Sequence, residues 1–191
     1  MSAPGTADAP DIAFLRKHLV FYPDYPKKGV NFVDIFPLLR TPLAFEGLIT
    51  HLLSHIFTVT LPRLPDGQKI DAVVGLDARG FLFGPVLAQR LGAAFVPVRK
   101  AGKLPGTCEQ ATYEKEYGTD VFEAQAGSLP AGANVIVVDD LIATGGSAKA
   151  AGELVAKLGG KTLEYLFVVD IPFLQGASKL DAPSYAMIDV D

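Results

Sequence analysis

The chain has one cysteine, Cys108, in 191 residues. A single thiol closes no internal disulfide, so a reducing, cytoplasmic compartment is the simpler expectation. No uninterrupted apolar run approaches the roughly 20 residues that cross a bilayer, and no membrane span is expected. Residues 1–10 contain neither Lys nor Arg and are rich in Ala and Pro. They read as a flexible tail rather than a signal or transit peptide. A basic excess is missing too. The 17 Lys and Arg stand against 21 Asp and Glu, for a formal net charge of −4. That argues against a general nucleic-acid binder while leaving room for a local basic cleft. What is present is ordinary for a folded enzyme: 49% hydrophobic and 20% charged residues, in a length suited to a single α/β domain over 11–191.

In chain order, Asp11 caps an expected helix from Ile12 to about Phe21, with Ile12, Leu15 and Leu19 on one face. Tyr22-Pro23-Asp24-Tyr25-Pro26 breaks it. Gly29–Ile35 is strand-like but short and isolated. Thr41-Pro42 opens a second helix, along which Phe45, Leu48, Ile49, Leu52, Leu53 and Ile56 keep helical spacing. His51 and His55 are four apart on it. With no intervening Glu of the H-E-x-x-H type, they read as solvent-side histidines rather than metal ligands. A loop at Pro62–Gly67 precedes a strand at Ile70–Leu76, a helix from about Phe81 to Leu91 and a strand at Ala94–Val98, which together make one βαβ unit. A second unit runs from Asn134 to Phe167 with its closing strand at Thr162–Asp170, and Ser184–Val190 supplies a last strand. Between the units, Arg99–Ala133 is a long glycine-studded insertion, read as a β-ribbon.

The most informative stretch is N-V-I-V-V-D-D-L-I-A-T-G-G-S, Asn134 to Ser147. Val135–Val138 read as a strand buried on both faces. Asp139 and Asp140 then stand at the expected strand end, where parallel sheets open toward ligands. Ala143, Thr144, Gly145, Gly146 and Ser147 form a small-residue turn ahead of a helix over Ala148–Leu158. Backbone N–H groups freed of Cβ cover, two hydroxyls and a helix N-terminus suit a phosphate. The two acids would repel one. They need vicinal sugar hydroxyls, which donate to carboxylates, or a divalent cation. A phosphate beside a diol is the 5′ end of a ribose phosphate.

These residues resemble the 5-phosphoribosyl-1-pyrophosphate (PRPP) signature of the type I phosphoribosyltransferases. The likeness widens with Gly75–Pro85 (G-L-D-A-R-G-F-L-F-G-P), Phe95–Gly106 (F-V-P-V-R-K-A-G-K-L-P-G), Tyr113–Gly118 (Y-E-K-E-Y-G) and Tyr22–Ile35 (Y-P-D-Y-P-K-K-G-V-N-F-V-D-I). Over residues 12–190 the chain is similar to the adenine phosphoribosyltransferase family. The resemblance implies a central, mainly parallel sheet flanked by helices, a small hood at about 11–40 and a flexible β-ribbon lid within 99–133. It also implies a homodimer, Mg²⁺ held mainly through PRPP and water, and purine salvage from adenine and PRPP to AMP and pyrophosphate.

The implied roles follow residue by residue. Asp139 and Asp140 would hold the ribose hydroxyls, and Ala143, Thr144, Gly145, Gly146 and Ser147 the 5′-phosphate. Asp77, Ala78, Arg79, Lys100 and Lys103 would meet the pyrophosphate, with a cis peptide at Asp77–Ala78. Phe32 would stack on adenine, whose polar edge would be read by the backbone of Asn31 and Val33. Glu116 would accept the purine proton, and Tyr117 would close over the site. Two positions depart from the family pattern: Val33 stands where Arg is frequent, and Ala78 where Ser is frequent. Transfer to hypoxanthine, guanine, uracil or orotate is the alternative among enzymes, and a PRPP- or nucleotide-sensing protein is the alternative outside them. The lysine loop and Glu116-Tyr117 favour an enzyme.

Overall fold

The structure, a computed structural model, describes residues 10–115 and 118–190. It divides into two compact units, one ending at Leu52 and one starting at Leu53.

The first unit is built on a short hairpin. Helix α1 (Pro10–Arg16) stops a turn and a half before the expected Phe21, because Val20 onward is extended. Strand β1 (Val20–Pro23) pairs antiparallel with β2 (Asn31–Asp34), Phe21 opposite Val33. Val, Phe and Tyr suit a pleated ribbon better than a helix end, and tertiary pairing overrides the helical spacing of Leu15 and Leu19. The connecting turn is set by Asp24, which is left-handed (φ 58°) and accepts the Gly29 N–H at 2.6 Å, with a cis Tyr25–Pro26 peptide between. Helix α2 (Phe36–Arg40) follows, and α3 (Pro42–His55) carries the chain into the second unit. Leu15, Val33, Ile35, Leu38, Leu48 and Ile49 are all buried.

His51 is not a solvent-side residue. Its Nδ1 lies 2.5 Å from the Asp11 carboxylate, and that contact pulls the Asp11 carboxyl below its usual value. Asp11 thus sits inside α1 rather than capping it.

The second unit is a seven-stranded sheet in the order β5-β6-β4-β3-β7-β8-β9. Its strands are β3 (Ala72–Leu76), β4 (Ala94–Lys100), β5 (Cys108–Lys115), β6 (Gly118–Gln125), β7 (Asn134–Ile142), β8 (Lys161–Asp170) and β9 (Ser184–Asp189). From β4 to β9 all neighbours are parallel, whereas β6 joins β4 and β5 joins β6 antiparallel. Helices α4 (Gly84–Leu91) and α5 (Gly146–Lys157) provide the crossovers. The expected helix start at Phe81 is a 3-10 turn, Arg79–Leu82, that precedes α4. Val135–Val138 are at most 1% exposed, the burial on both faces that the apolar run predicts.

The 99–133 insertion is a β-ribbon, but not a detached one. Ala111, Phe122 and Ala124 are buried in one core cluster with Ala151, Leu154 and Val155 of α5. Its root is therefore part of the sheet and the core.

Helical geometry continues past α3 through Ile56–Thr60, wound as a π-helix, to Arg63. This Pro42–Arg63 run is long and apolar enough by composition to cross a bilayer, which the sequence reading did not anticipate. Its His55 and Thr60 are bonded within the protein, however. His55 Nε2 lies 3.1 Å from Glu164 Oε1 and its ring stacks on Tyr185 at 3.8 Å, while Thr60 donates to Glu164 Oε2. His55 too is thus an internal partner rather than a solvent-side residue.

Candidate active site

Strand β7 does not end at Val138 as expected. Its pairing to β8 continues through Leu141 opposite Val169 and Ile142 opposite Asp170, so both acids lie on the strand itself. Their side chains nevertheless stay within hydrogen-bonding reach of each other. Asp140 is buried, and Asp139 is half-buried with its Oδ1 accepting the Asp140 N–H at 2.9 Å. Burial pushes the Asp139 carboxyl well above its ordinary range, and the neighbouring Asp140 charge adds to this. Burial raises Asp140 as well, against the pull of Arg79, whose Nε is 2.9 Å from Asp140 Oδ2. Two carboxyls short of counter-charge at a strand end can gain from a ligand that donates hydrogen bonds to them.

Directly after β7 the chain turns through Ala143, Thr144 and Gly145 into α5. Gly145 is left-handed, at φ 76°. A Cβ there would also come within 2.3 Å of the Gly176 carbonyl oxygen, so glycine is required twice over. Gly176 in turn packs on the Ala143 carbonyl, and the Lys179 ammonium donates to the Thr144 carbonyl at 2.7 Å. The turn is thus braced from outside by Gly176 and Lys179. Arg79, Asp139, Asp140, Ala143, Thr144, Gly145, Gly146 and Ser147 line one cleft of about 200 Å³. All seven sequence-predicted ribose-phosphate residues and Arg79 are brought together. The first residues of α5, whose N–H groups have no partner within a helix, thus line the same cleft as the two acids, the setting in which helix N-termini bind anions.

Arg79 reaches the cleft because Gly80 lies against β7. A Cβ on Gly80 would meet the Val138 carbonyl oxygen at 2.6 Å. The Asp77–Ala78 peptide before it is cis, as the resemblance implied. The Asp77 carboxylate accepts from Arg99 Nε at 2.9 Å, and Arg99 Nη1 continues to the Lys103 carbonyl at 3.2 Å. Arg99 therefore ties the two segments expected to meet pyrophosphate. Lys100 and Lys103 are exposed and do not line the 200 Å³ cleft, and Lys100 Nζ is 3.4 Å from Asp120. In the first unit, Asn31 is exposed, Phe32 packs edge-on to Tyr25 at 5.2 Å, and Val33 is buried. Burial at position 33 fits an apolar side chain and leaves only the main chain of that residue for polar contact. Glu116 and Tyr117 lie outside the described residues.

Sequence reasoning passed over Gly176, Lys179, Arg99 and Glu123. Arg99 had a signal, since it stands beside Lys100 in R-K-A-G-K-L-P-G. Glu123 had one as well: a carboxylate amid Val121, Phe122 and Ala124 is an acid where a strand enters a core. Gly176 and Lys179 had none, because their partners are more than 30 positions away.

A parallel sheet with an anion turn and paired acids at its carboxyl edge defines a sugar-phosphate-binding α/β protein, and residues 41–187 match the phosphoribosyl transferase domain. The chain belongs to the phosphoribosyltransferase family, in its adenine phosphoribosyltransferase branch. It is 55% identical to adenine phosphoribosyltransferase 1 of Saccharomyces cerevisiae over 92% of this chain and 91% of that protein. It is 46% identical to the adenine phosphoribosyltransferase of Sorangium cellulosum, over 88% and 80%. Among solved structures, a Saccharomyces cerevisiae adenine phosphoribosyltransferase complexed with adenine and D-2,5-dideoxy-2,5-imino-altritol 1,6-bisphosphate superposes with a TM-score of 0.89. That pair is 53% identical, covering 93% of this chain and 98% of the other. The Trypanosoma brucei enzyme in complex with AMP, pyrophosphate and ribose-5-phosphate has a TM-score of 0.82 at 25% identity, covering 96% and 81%.

Proposed function

We propose that this chain transfers the phosphoribosyl group of PRPP to adenine, yielding AMP and pyrophosphate in purine salvage. The observation that carries the reading is the cleft in which two poorly countered carboxyls adjoin a braced anion turn. The 5′-phosphate takes the N–H groups and hydroxyls of Ala143–Ser147, and the ribose 2′- and 3′-hydroxyls donate to Asp139 and Asp140. Binding the diol requires the acids ionised, so substrate and carboxylate stabilise each other. Arg79, beside Asp140, carries positive charge to the pyrophosphate.

In the reaction, the anomeric carbon's bond to the pyrophosphate oxygen breaks as its bond to adenine N9 forms. The N9 proton leaves, and the transition state is oxocarbenium-like. Negative charge grows on pyrophosphate, where Arg79, Lys100 and Lys103 stabilise it as it develops. Glu116 assists loss of the purine proton, and Tyr117 and the ribbon tip exclude water. Asn31, Phe32 and Val33 hold the base, Phe32 by stacking and the other two by main-chain groups. The donor set fits Mg²⁺ only in part, as two adjacent carboxylates. Among the described residues no group of three or more His, Cys, Asp or Glu side chains forms a metal cage. The cation would be held mainly by PRPP oxygens and water, and when bound it supplies charge neutralisation on pyrophosphate.

A homodimer and a cytoplasmic location complete the proposal. The first rests on the resemblance and on exposed apolar side chains of the first unit such as Tyr22, Tyr25 and Leu43. The second rests on the free Cys108, which suits a reducing compartment. The deciding experiment is a Mg²⁺- and PRPP-dependent assay with adenine, hypoxanthine, guanine, uracil and orotate in separate reactions. AMP from adenine alone is expected. A different preferred base overturns the specificity, and PRPP binding without product from any base overturns the enzyme.

A further inference from the structure

Strand β6 does more than extend the sheet. The loop after β4 is laced to it position by position. Ala101 N–H donates to Val121 O at 2.9 Å, the Gln125 amide donates to Pro105 O at 3.1 Å, and Ala126 N–H donates to Thr107 O at 2.9 Å. At the centre of this lacing, Glu123 Oε1 accepts the N–H of Lys103 at 3.0 Å and of Leu104 at 3.1 Å. The Lys103 carbonyl is held from the other side by Arg99 Nη1, at 3.2 Å, and Arg99 is the residue directly opposite Glu123 in the sheet. Both ends of one residue's backbone are thus fixed by two facing side chains of opposite charge. Gly102, left-handed at φ 79°, makes the turn that presents Lys103.

Glu123 is 4% exposed, an unusual place for a carboxylate. Burial by itself pushes its pKa up, but the N–H bonds from Leu104, Gly102 and Lys103, with a hydrogen bond from the Gln110 side chain, outweigh this and leave it below the usual value. An ionised, buried acceptor aimed at consecutive backbone N–H groups holds a loop more rigidly than water can, since the donors have no equal partner elsewhere.

We infer that Glu123 is a positioning residue for the leaving group. It sets the Gly102–Leu104 turn so that the Lys103 ammonium meets pyrophosphate at low ordering cost, with Arg99 linking that turn to Asp77 and the Arg79 loop. Glu123 itself touches no substrate. The inference rests on the proposed role of Lys103. It makes pyrophosphate recognition depend on a strand of the ribbon.

The test is steady-state kinetics on Glu123→Ala, Glu123→Gln and Lys103→Ala, with PRPP and adenine varied in turn, together with hydrogen exchange of the Lys103 and Leu104 amides. Glu123→Ala should raise KM for PRPP by about tenfold or more and speed exchange of both amides by a similar factor, while KM for adenine stays within about twofold. Glu123→Gln keeps an acceptor oxygen and should stay within about threefold of the parent. A purely structural role would move both KM values and would not spare adenine. If Lys103→Ala raises KM for PRPP and Glu123→Ala does not, the inference is overturned and the reading of Lys103 stands. If neither does, the reading of Lys103 fails and takes the inference with it. Should Glu123→Ala not fold, Glu123→Asp, whose carboxylate stops one methylene short, carries the same test, and an unchanged KM for PRPP overturns the proposal.

Discussion

Asp139 and Asp140 differ in what surrounds them although they are neighbours in sequence. Asp140 is buried with Arg79 2.9 Å away, whereas Asp139 is half-buried and the Asp140 charge weighs on it more than Arg79 does. The sign of the pH dependence follows from the raised Asp139 carboxyl. Between the ordinary 3.8 and its raised value, the folded chain binds more protons than the unfolded one. Folding stability from this group therefore falls as pH rises through that window, and Asp139→Asn should flatten the slope, as read by urea midpoints across pH. Ligand binding runs the other way. The diol needs the ionised acid, so affinity for PRPP should drop as pH falls through the raised value, sooner than for an ordinary aspartate. At ~1.5–3 kcal/mol per charge-assisted bond, Asp139→Asn or Asp140→Asn should lower kcat/KM for PRPP by roughly 10- to 100-fold. Unchanged kinetics in both would remove the ribose assignment. Both acids were legible from their place after an apolar run. Their unequal burial was not, because it depends on β7 continuing to Ile142 against β8.

At the level of elements, the ribbon and the α3 extension each behave differently from what spacing alone suggests. A lid hinged on loops would tolerate loss of a large side chain at its root. Phe122 is instead 3% exposed and tilted against Tyr113 at 4.5 Å, above the alanines of α5. Phe122→Ala should cost about 3–5 kcal/mol of unfolding free energy, the usual range for a buried phenylalanine, measured in denaturant. A loss below about 1 kcal/mol would show the ribbon to be energetically separate. Beyond α3, Glu164 is 2% exposed near the amino end of β8 and is shared by His55, Thr60 and, at 3.6 Å, Arg63. Glu164→Ala leaves those partners without their acceptor and should lower stability by about 2–4 kcal/mol. Since β8 presents its carboxyl end to the cleft, kcat should stay within about twofold where the variant is folded, and a large kcat loss would connect the two ends of the strand. The helical spacing of 42–56 was readable in the sequence. The partner of His55 was not, since Glu164 lies 109 positions away.

For the whole molecule, ligand and fold are linked through the turn at Ala143–Ser147 and the acids beside it. Saturating the cleft stabilises only the folded chain. PRPP at about 100 times its Kd should add about 2.7 kcal/mol of stability, seen as a rise in Tm that shrinks to the equivalent of about 0.4–1.4 kcal/mol in Asp139→Asn at the same concentration, for a 10- to 100-fold weaker Kd. A Tm insensitive to PRPP would show that the folded chain does not bind it, and a rise unchanged in Asp139→Asn would place its binding elsewhere. Most of the cleft could be read from Asn134–Ser147 because a parallel strand, its loop and its crossover helix are contiguous, so one short stretch carries strand end, phosphate turn and dipole together. Arg79 was legible for the same reason in the other βαβ unit. The helix expected to Phe21 was misread because Val20–Pro23 finds a strand partner at Asn31–Asp34, and pairing of that kind leaves no local periodicity.

The sequence by itself determined the chemistry. An apolar run, two acids and a T-G-G-S turn in that order specify a sugar phosphate, and R-K-A-G-K-L-P-G adds charge for a leaving anion. Tertiary structure alone decided which of those groups share a cleft, how firmly each is held, and that burial raises the two carboxyls. Gly176 against Ala143 and Gly145, Lys179 on Thr144, Arg99 on Asp77, and Glu123 under Lys103 are all contacts between distant positions. The physical reason is that hydrogen bonding and desolvation act over a few ångströms in space, and distance along the chain carries no trace of them until the sheet has assembled.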